Sequence, residues 1–384
     1  MVISMNFLVT DYKIDSDSGS DCVVLEDCIM QEDRPSTAGS KILENFISPL
    51  NATVVDRLTA AGIKIRGKVK MNEFGLSKIT ADRPDTLSGA VEAVVSGFSE
   101  AALCNDFSGT IRRQAAENNL YYIHPTYGTV SRYGLIPSIC SMDQIGVLCS
   151  DLKRGFQILS ILAGNDPKDG AMFPEQSYTY QPEANRSAAG NKIRIGIPDQ
   201  IVPMANLHNQ DMIRDLSEHF ETVSIDLPHF NVYAQVMYIL ASAEISNNIN
   251  RYDGIKFGYR TENYKNLNDL YLNSRTEGFD LEAKLAAIMG SMVLSKEYYI
   301  PYYEKAMKIR RLIKESLNFD EYDLIAVPSL PDADLYRQSA LYALAPLAGL
   351  PTISFPWKGG AIQLIANVKN ENGLFAAWEV AHGI

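Results

Sequence analysis

The hydrophobic and polar positions of this chain alternate between two periods, that of a helix and that of a strand. Residues 53–61 carry apolar side chains at helical spacing up to Gly62, and residues 63–67 then alternate as a strand does. The same order recurs at 211–220 with 222–227, and again at 302–317 with 323–328. Repeated helix-then-strand units predict an α/β protein in which helices cover a largely parallel or mixed sheet.

Two shorter apolar runs, 23–25 and 193–198, also predict strands. The stretch 178–191 is rich in Gly, Ser and Asn, and it is predicted to be a long surface loop. Because apolar patterning resumes at once on both sides, we expect this loop to lie within one domain that spans residues 1–384.

Composition narrows the class of protein. The chain has 384 residues, of which 46% are hydrophobic and 21% charged, as is typical of a soluble globular protein. Its net charge of −11 opposes direct binding of nucleic acid. The basic segment 308–314 is the best local exception, and its helical spacing predicts a solvated helix face. No apolar run approaches the length of a membrane span, so no membrane contact is expected.

The cysteines, the histidines and the N-terminal residues bear on the cellular compartment of the protein and on whether it binds a cofactor. Five scattered cysteines without metal-ligand spacing suit the reducing cytoplasm, and none of the five histidines forms an HxxxH pair. We therefore expect neither a metal nor another cofactor. The first residues lack a basic stretch before their apolar positions and do not resemble a signal peptide, so a cytoplasmic location is predicted.

Two motifs in the first half of the chain carry a family resemblance. Residues 108–116 are Ser-Gly-Thr-Ile-Arg-Arg-Gln-Ala-Ala, and residues 124–135 are His-Pro-Thr-Tyr-Gly-Thr-Val-Ser-Arg-Tyr-Gly-Leu. Both resemble the central motifs of the amidase signature family. Further segments resemble, in the same order, the A subunit of the glutamine-dependent aspartyl/glutamyl-tRNA amidotransferases: residues 40–46, 67–74, 141–146, 251–260, 274–279 and 347–351.

The resemblance implies an α/β amidase signature fold, with one large mixed sheet covered by helices on both faces. It also implies a proton relay, in which a lysine acts through a serine in a cis peptide on a nucleophilic serine that attacks an amide carbonyl. The matching positions here are Glu26 for the lysine, Thr86 for the cis serine and Thr110 for the nucleophile. The turn whose N–H groups would stabilise the oxyanion corresponds to Phe107, Ser108 and Gly109.

All three catalytic positions have changed, and so have the positions for substrate recognition. A glutamate near a forming oxyanion would repel it, whereas a lysine would not. In the family, an arginine in the segment that matches 284–287 binds the α-carboxylate of glutamine. Leu285 and Ala286 stand there and cannot form that bidentate contact. In the family, an acidic residue pairs with the α-amino group of the substrate, and Ser339 stands at the matching position.

Two apparent deletions accompany these changes. Relative to the family, the chain begins inside the usual N-terminal helical region, and the connection between Phe74 and Thr86 is shorter. We expect the remodelled surface to leave apolar area that marks contacts with other chains. The expected partners are a second copy of the chain or B- and C-type amidotransferase-like subunits, without direct contact to tRNA.

The leading hypothesis is an amidase-fold pseudoenzyme with a scaffolding, regulatory or binding role. One alternative is an active C–N hydrolase or amidotransferase subunit that uses Thr110 in place of the family serine. A second alternative is a small-molecule binding protein that uses the former amidase pocket around Leu285, Ala286 and Ala287. Fold alone does not separate these hypotheses.

Overall fold

The structure is a computed structural model that describes residues 6–13, 22–76, 87–180, 192–204, 206–330 and 335–383. Within these residues, eleven strands form one sheet. The strands are β1 (Leu8–Asp11), β2 (Cys22–Glu26), β3 (Lys64–Val69), β4 (Ala101–Asn105), β5 (Tyr121–His124), β6 (Ile145–Cys149), β7 (Arg194–Pro198), β8 (Glu221–Ile225), β9 (Leu324–Pro328), β10 (Thr352–Trp357) and β11 (Gly360–Ala366).

The helices of the described residues lie between these strands in the chain, except the last helix, which follows β11. They are α1 (Thr53–Ala60), α2 (Gly89–Val95), α3 (Thr110–Glu117), α4 (Leu152–Leu162), α5 (Leu207–His219), α6 (Tyr233–Asn248), α7 (Leu267–Gly278), α8 (Leu281–Val293), α9 (Lys305–Glu315), α10 (Leu335–Ala348) and α11 (Glu371–His382). None of them is long and apolar enough to cross a membrane.

The sheet is mixed. Its strand order is β1-β3-β2-β4-β6-β5-β10-β11-β9-β7-β8. Strand β2 runs parallel to both β3 and β4, and β7 runs parallel to both β8 and β9. The other neighbours are antiparallel. Two parallel regions are therefore joined by an antiparallel centre.

Helices cover both faces of the sheet. Along β2, Val23 and Leu25 point into one hydrophobic cluster, and Val24 points into another. Such alternation is expected of a strand that is buried on both sides. Helices α1 and α4 contribute to the first cluster, and α2 and α3 contribute to the second. The predicted α/β fold with a mixed, doubly covered sheet is confirmed.

Most of the predicted elements are present, with differences at their ends. Helix α1 and strand β3 follow the predicted 53–61 and 63–67 segments. Helix α5 begins earlier than predicted, because the side chain of Asn206 accepts a hydrogen bond from the N–H of Asn209 and caps the helix. The predicted 302–317 helix is α9 preceded by a π-helical turn, Tyr299–Glu304. The predicted 178–191 loop lies mostly outside the described residues.

The parallel arrangement of β3, β2 and β4 brings their carboxyl ends to one edge of the sheet. Glu26 is the last residue of β2, and Asn105 is the last residue of β4. After β4 the chain turns through residues 106–109 and enters α3 at Thr110. In sheets of this kind, ligand sites form where the carboxyl ends of parallel strands meet.

Candidate active site

A cavity of about 370 Å³ opens at this edge of the sheet. Three of the residues singled out in the sequence line it, namely Glu26, Ser108 and Thr110. The first turn of α2 and the segment after β3 complete much of its wall. Its remaining charged lining residues are Lys70, Glu92 and Asp106. The cavity thus brings together the positions that the family resemblance assigned to the lysine and the nucleophile.

Glu26 lies almost entirely buried at the end of β2. Its Oε2 atom accepts a hydrogen bond of 2.8 Å from the backbone N–H of Asn105. Burial raises the pKa of Glu26 from its ordinary 4.5 to about 8, and the nearby carboxylates of Asp106 and Asp27 act in the same direction. At neutral pH the Glu26 side chain is therefore mainly an uncharged carboxylic acid.

The turn before α3 is organised around the buried carboxylate of Asp106. Its Oδ1 accepts hydrogen bonds from the N–H groups of Gly109, at 3.0 Å, and Ile111, at 3.3 Å. Its Oδ2 accepts from both the backbone N–H and the Nε–H of Arg112, at 2.9 and 3.1 Å. Asp106 thus supplies the acceptors that the first N–H groups of a helix require.

The three residues of the predicted oxyanion turn have different environments. Phe107 is buried in the hydrophobic core, while Ser108 is half-buried at the cavity. Gly109 has a φ of 84°, and a Cβ atom at this position would collide with the side chain of Tyr342 on α10. A glycine is therefore required at position 109, both by the left-handed backbone and by the close approach of Tyr342.

Thr110 begins α3 with its hydroxyl beside that of Ser108. The two oxygens, Thr110 Oγ1 and Ser108 Oγ, are 3.0 Å apart. Ser108 Oγ also accepts a hydrogen bond of 3.4 Å from the Thr110 N–H. Both hydroxyls are thereby part of the local structure of the turn, and both belong to the lining of the cavity.

Thr86, the position of the cis serine, lies outside the described residues. The residues that follow it, Leu87, Ser88 and Gly89, line the cavity. The Ser88 N–H donates a 2.8 Å hydrogen bond to Oε1 of Gln114, which fixes the start of α2 against α3.

A second lysine of the same region, Lys68, does not line the cavity. It is fully buried on β3, where its Nζ lies 3.6 Å from Oδ1 of Asp27 and donates to the carbonyl of Pro35 at 2.8 Å. Ser36 Oγ also accepts from it. Burial lowers the pKa of Lys68, and the Asp27 carboxylate opposes that effect. Lys68 is therefore held by contacts inside the protein, away from the cavity beside Glu26.

The positions that the family resemblance assigns to substrate recognition lie apart from this cavity. Ala286 is buried in the hydrophobic core on the inner side of α8, whereas Leu285 is exposed on its outer side. Ser339 is on α10, and its Oγ lies 2.7 Å from the hydroxyl oxygen of Tyr238 on α6. None of the three side chains lines the cavity beside Glu26 and Thr110.

Sequence reasoning missed three residues that shape the site, namely Asp106, Gln114 and Tyr342. The signal for Asp106 was present, because an Asp before a Ser-Gly turn at a predicted helix start is a typical capping pattern. Tyr342 gave no such signal, since it reaches Gly109 only through the packing of α10 on α3.

A known protein family matches most of the chain. A family model described as Amidase matches residues 22–84 and 88–358 of the chain. The matched segments include the strand that ends at Glu26, the turn of Asp106 and the helix of Thr110. The chain belongs to the amidase family.

Curated relatives and solved structures agree with this assignment. The A subunit of the glutamyl-tRNA(Gln) amidotransferase of Trichodesmium erythraeum is 35% identical in an alignment of 400 positions that covers 92% of this chain and 82% of the relative. The crystal structure of the A subunit of the glutamyl-tRNA(Gln) amidotransferase from Thermotoga maritima superposes with a TM-score of 0.73 at 24% identity, over 96% of this chain and 85% of that one.

A further structural likeness concerns an inhibitor-bound vestigial protein complex connected with the origins of an s-triazine catabolic enzyme. It has a TM-score of 0.77 at 20% identity, and the match covers 94% of this chain and 83% of that one. At such identities the two structural likenesses establish a shared fold.

Proposed function

We propose that this chain is an amidase-family protein that does not hydrolyse amides and that acts as a binding or scaffolding component. One observation carries the proposal: a buried, uncharged carboxylic acid, Glu26, occupies the place where the family resemblance puts a lysine.

The protonation of Glu26 argues against the family's proton relay. A general base must be unprotonated at the working pH, but the pKa of Glu26 is raised to about 8 by its burial. Its Oε2 also accepts the Asn105 N–H. When Glu26 does ionise, it adds negative charge beside Asp106, in a cavity where a tetrahedral oxyanion would have to form.

The recognition positions give independent support. Binding the α-carboxylate of glutamine requires a cation, for which an arginine fork is best suited. Leu285 and Ala286 provide no charge, and Ser339 pairs with Tyr238 on the neighbouring helix. A chain without the base and without the carboxylate contact is not suited to glutamine hydrolysis.

The test is the release of ammonia from glutamine, asparagine and simple primary amides. We expect the purified chain to release no more ammonia than a buffer blank. The variants Thr110→Ala and Thr59→Ala form a matched pair, because Thr59 is an exposed threonine on α1, away from the cavity. Ammonia release that Thr110→Ala abolishes and Thr59→Ala preserves would overturn the proposal.

A second candidate function is an amide hydrolase in which Thr110 is the nucleophile. The 3.0 Å separation of the Ser108 and Thr110 hydroxyl oxygens, in the same cavity as Glu26, favours it. In that case Glu26 would be the base, and activity would rise as the pH passes its pKa of about 8. A pH–rate profile from pH 6 to 9 therefore separates the two candidates.

A third candidate is the binding of a small molecule without turnover, which the cavity of about 370 Å³ favours. Its walls combine hydroxyl, amide and carboxyl groups with apolar ones, as ligand sites often do. Thermal-shift screening of the chain against a library of small polar compounds tests this candidate, and Glu26→Gln is the variant that should remove a specific shift.

Assembly with other chains completes the proposal. The curated relative is described as a subunit, which supports either amidotransferase-like B and C partners or self-association for this chain. We also propose a cytoplasmic location, which the five scattered cysteines of the sequence support.

A further inference from the structure

Helix α8 has two sharply different faces. One face carries small or short side chains, Ala283, Ala286, Gly290 and Val293, and is buried against the body of the protein. A Cβ atom at Gly290 would collide with the carbonyl oxygen of Ser242 on α6, so the two helices are in backbone contact. The inner face alone therefore fixes α8 in place.

The opposite face carries large apolar side chains in contact with solvent. Leu281 is 52% exposed, Leu285 37%, Ile288 68% and Met292 41%. We call these four residues the α8 stripe. Because they follow one another at intervals of four, three and four residues, they form one line along the helix. Leu294, Tyr299 and Ile300, which follow the end of α8, are also exposed.

The spacing of the α8 stripe is that of a helix–helix seam. Apolar residues at alternating intervals of three and four are the pattern by which two helices interlock their side chains. An exposed line of this kind costs solubility unless another surface covers it. The inner face already packs on α6, so the covering surface must come from elsewhere.

We propose that the α8 stripe is the contact between two copies of this chain, which pair through antiparallel α8 helices about a two-fold axis. The intervals four, three, four are the same when read in either direction. With the axis between Ala286 and Ala287, Leu281 faces Met292 of the second copy, and Leu285 faces Ile288. A surface that matches itself in this way is what a two-fold dimer requires.

The charged residues beside the α8 stripe are compatible with a second copy of the chain as the partner that covers it. Glu282 and Lys284 flank it, so the stripe itself is close to neutral although the chain has a net charge of −11. In the antiparallel pair, Glu282 lies across from Ser291 and Lys284 from Met289. No like charges meet at the centre, and the two helix dipoles run in opposite directions. A strongly basic or acidic partner would find no complementary charge there.

The oligomeric state of the full chain tests the proposal. We expect light scattering to give twice the 42.6 kDa mass of one chain at micromolar concentration. The double variant Leu285→Gln with Ile288→Gln should weaken dimerisation about tenfold or more, since these side chains form the centre of the seam. Ile288 is 68% exposed and Leu285 is 37% exposed in one chain, so the circular dichroism of the separated variant should be unchanged and its melting temperature should fall only slightly.

Helix α7 provides the matched control. Leu267 and Leu272 are 59% and 61% exposed, but they are five residues apart and do not lie on one line. The double variant Leu267→Gln with Leu272→Gln should remain a dimer. A monomeric wild-type chain, a dimer that persists in the α8 variant, or equal dissociation of the α7 variant would each overturn the proposal. The result is independent of amide hydrolysis, which the ammonia assay measures.

Discussion

The protonation of Glu26 follows from where β2 ends. The strand delivers this side chain into a site that is nearly closed to water, between the carboxylates of Asp27 and Asp106. One hydrogen bond from the Asn105 N–H is the main local contact that favours the charged form. Desolvation outweighs this hydrogen bond, so the position that the family resemblance assigns to the base holds an acid at neutral pH.

Substitution of Glu26 by glutamine should change how stability depends on pH. The pKa of Glu26 is about 8 in the folded chain and near its ordinary 4.5 when unfolded. Between these values the folded chain binds more protons, so raising the pH lowers the free energy of unfolding. Glutamine keeps an acceptor for the Asn105 N–H but cannot ionise.

Urea unfolding between pH 5 and 9 measures this effect. The wild type should lose more stability than Glu26→Gln across the window, by at least about 1.4 kcal/mol, the equivalent of one pKa unit. The control is Glu92→Gln, a half-exposed carboxyl at the same cavity that keeps its contact with water. Parallel curves for the wild type and Glu26→Gln would contradict the raised pKa.

At the scale of elements, small residues determine how closely helices approach. Gly290 lets α8 touch the backbone of α6. Gly290→Ala should therefore destabilise the protein by about 1–3 kcal/mol through overpacking. This loss should exceed the gain of about 1 kcal/mol that alanine brings to a helix interior.

Chemical denaturation of Gly290→Ala and Gly170→Ala provides the comparison. At Gly170 an added Cβ meets no other atom within 4 Å, so this variant should match the wild type. If Gly290→Ala were as stable as Gly170→Ala, the close contact between α6 and α8 would not exist in solution.

The elements also show how far the sequence determines the structure. Local patterning is sufficient to predict α1, β3 and β9: α1 buries apolar residues at helical spacing, and β9 is a continuous apolar run that is entirely buried. The start of α5 depends on one capping side chain, Asn206, that periodicity does not register. The order of strands in the sheet depends on contacts between distant parts of the chain, which no local pattern contains.

The candidate site, too, has features that the sequence predicts and features that it does not. Motif spacing placed Glu26, Ser108 and Thr110 in register with a known family, and the structure brings all three to one cavity. The environment that controls Glu26 could not be predicted, because it depends on burial and on distant carboxylates. Likewise, the contact of Arg112 Nη1 with Gln363 Oε1, at 2.9 Å, links residues far apart in the sequence.

At the scale of the whole molecule, one sheet links the first and last parts of the chain. The antiparallel pair β10 and β11 lies between the parallel strands β2, β3 and β4 and the parallel strands β7, β8 and β9. Strand β10 pairs with β5 on one side, and β11 pairs with β9 on the other. One hydrophobic cluster therefore runs continuously along one face and includes residues of β2 and of β11.

This continuity predicts a single cooperative unfolding transition. Both tryptophans, Trp357 and Trp378, lie in the C-terminal part, on β10 and α11. Their fluorescence should change at the same urea concentration as the far-UV circular dichroism, which reports on the helices of the entire chain. Two separate midpoints would show that the chain contains independently folding domains.

The packing of Tyr342 on Gly109 also constrains which sequences can replace this one. A side chain larger than hydrogen at position 109 is excluded while Tyr342 occupies that space, even if the left-handed backbone were tolerated. Substitutions at the two positions should therefore be accepted only in a particular order, with position 342 becoming smaller first. A library randomised at both sites tests this order. Clones that fold with a residue other than glycine at position 109 should all carry a small residue at position 342.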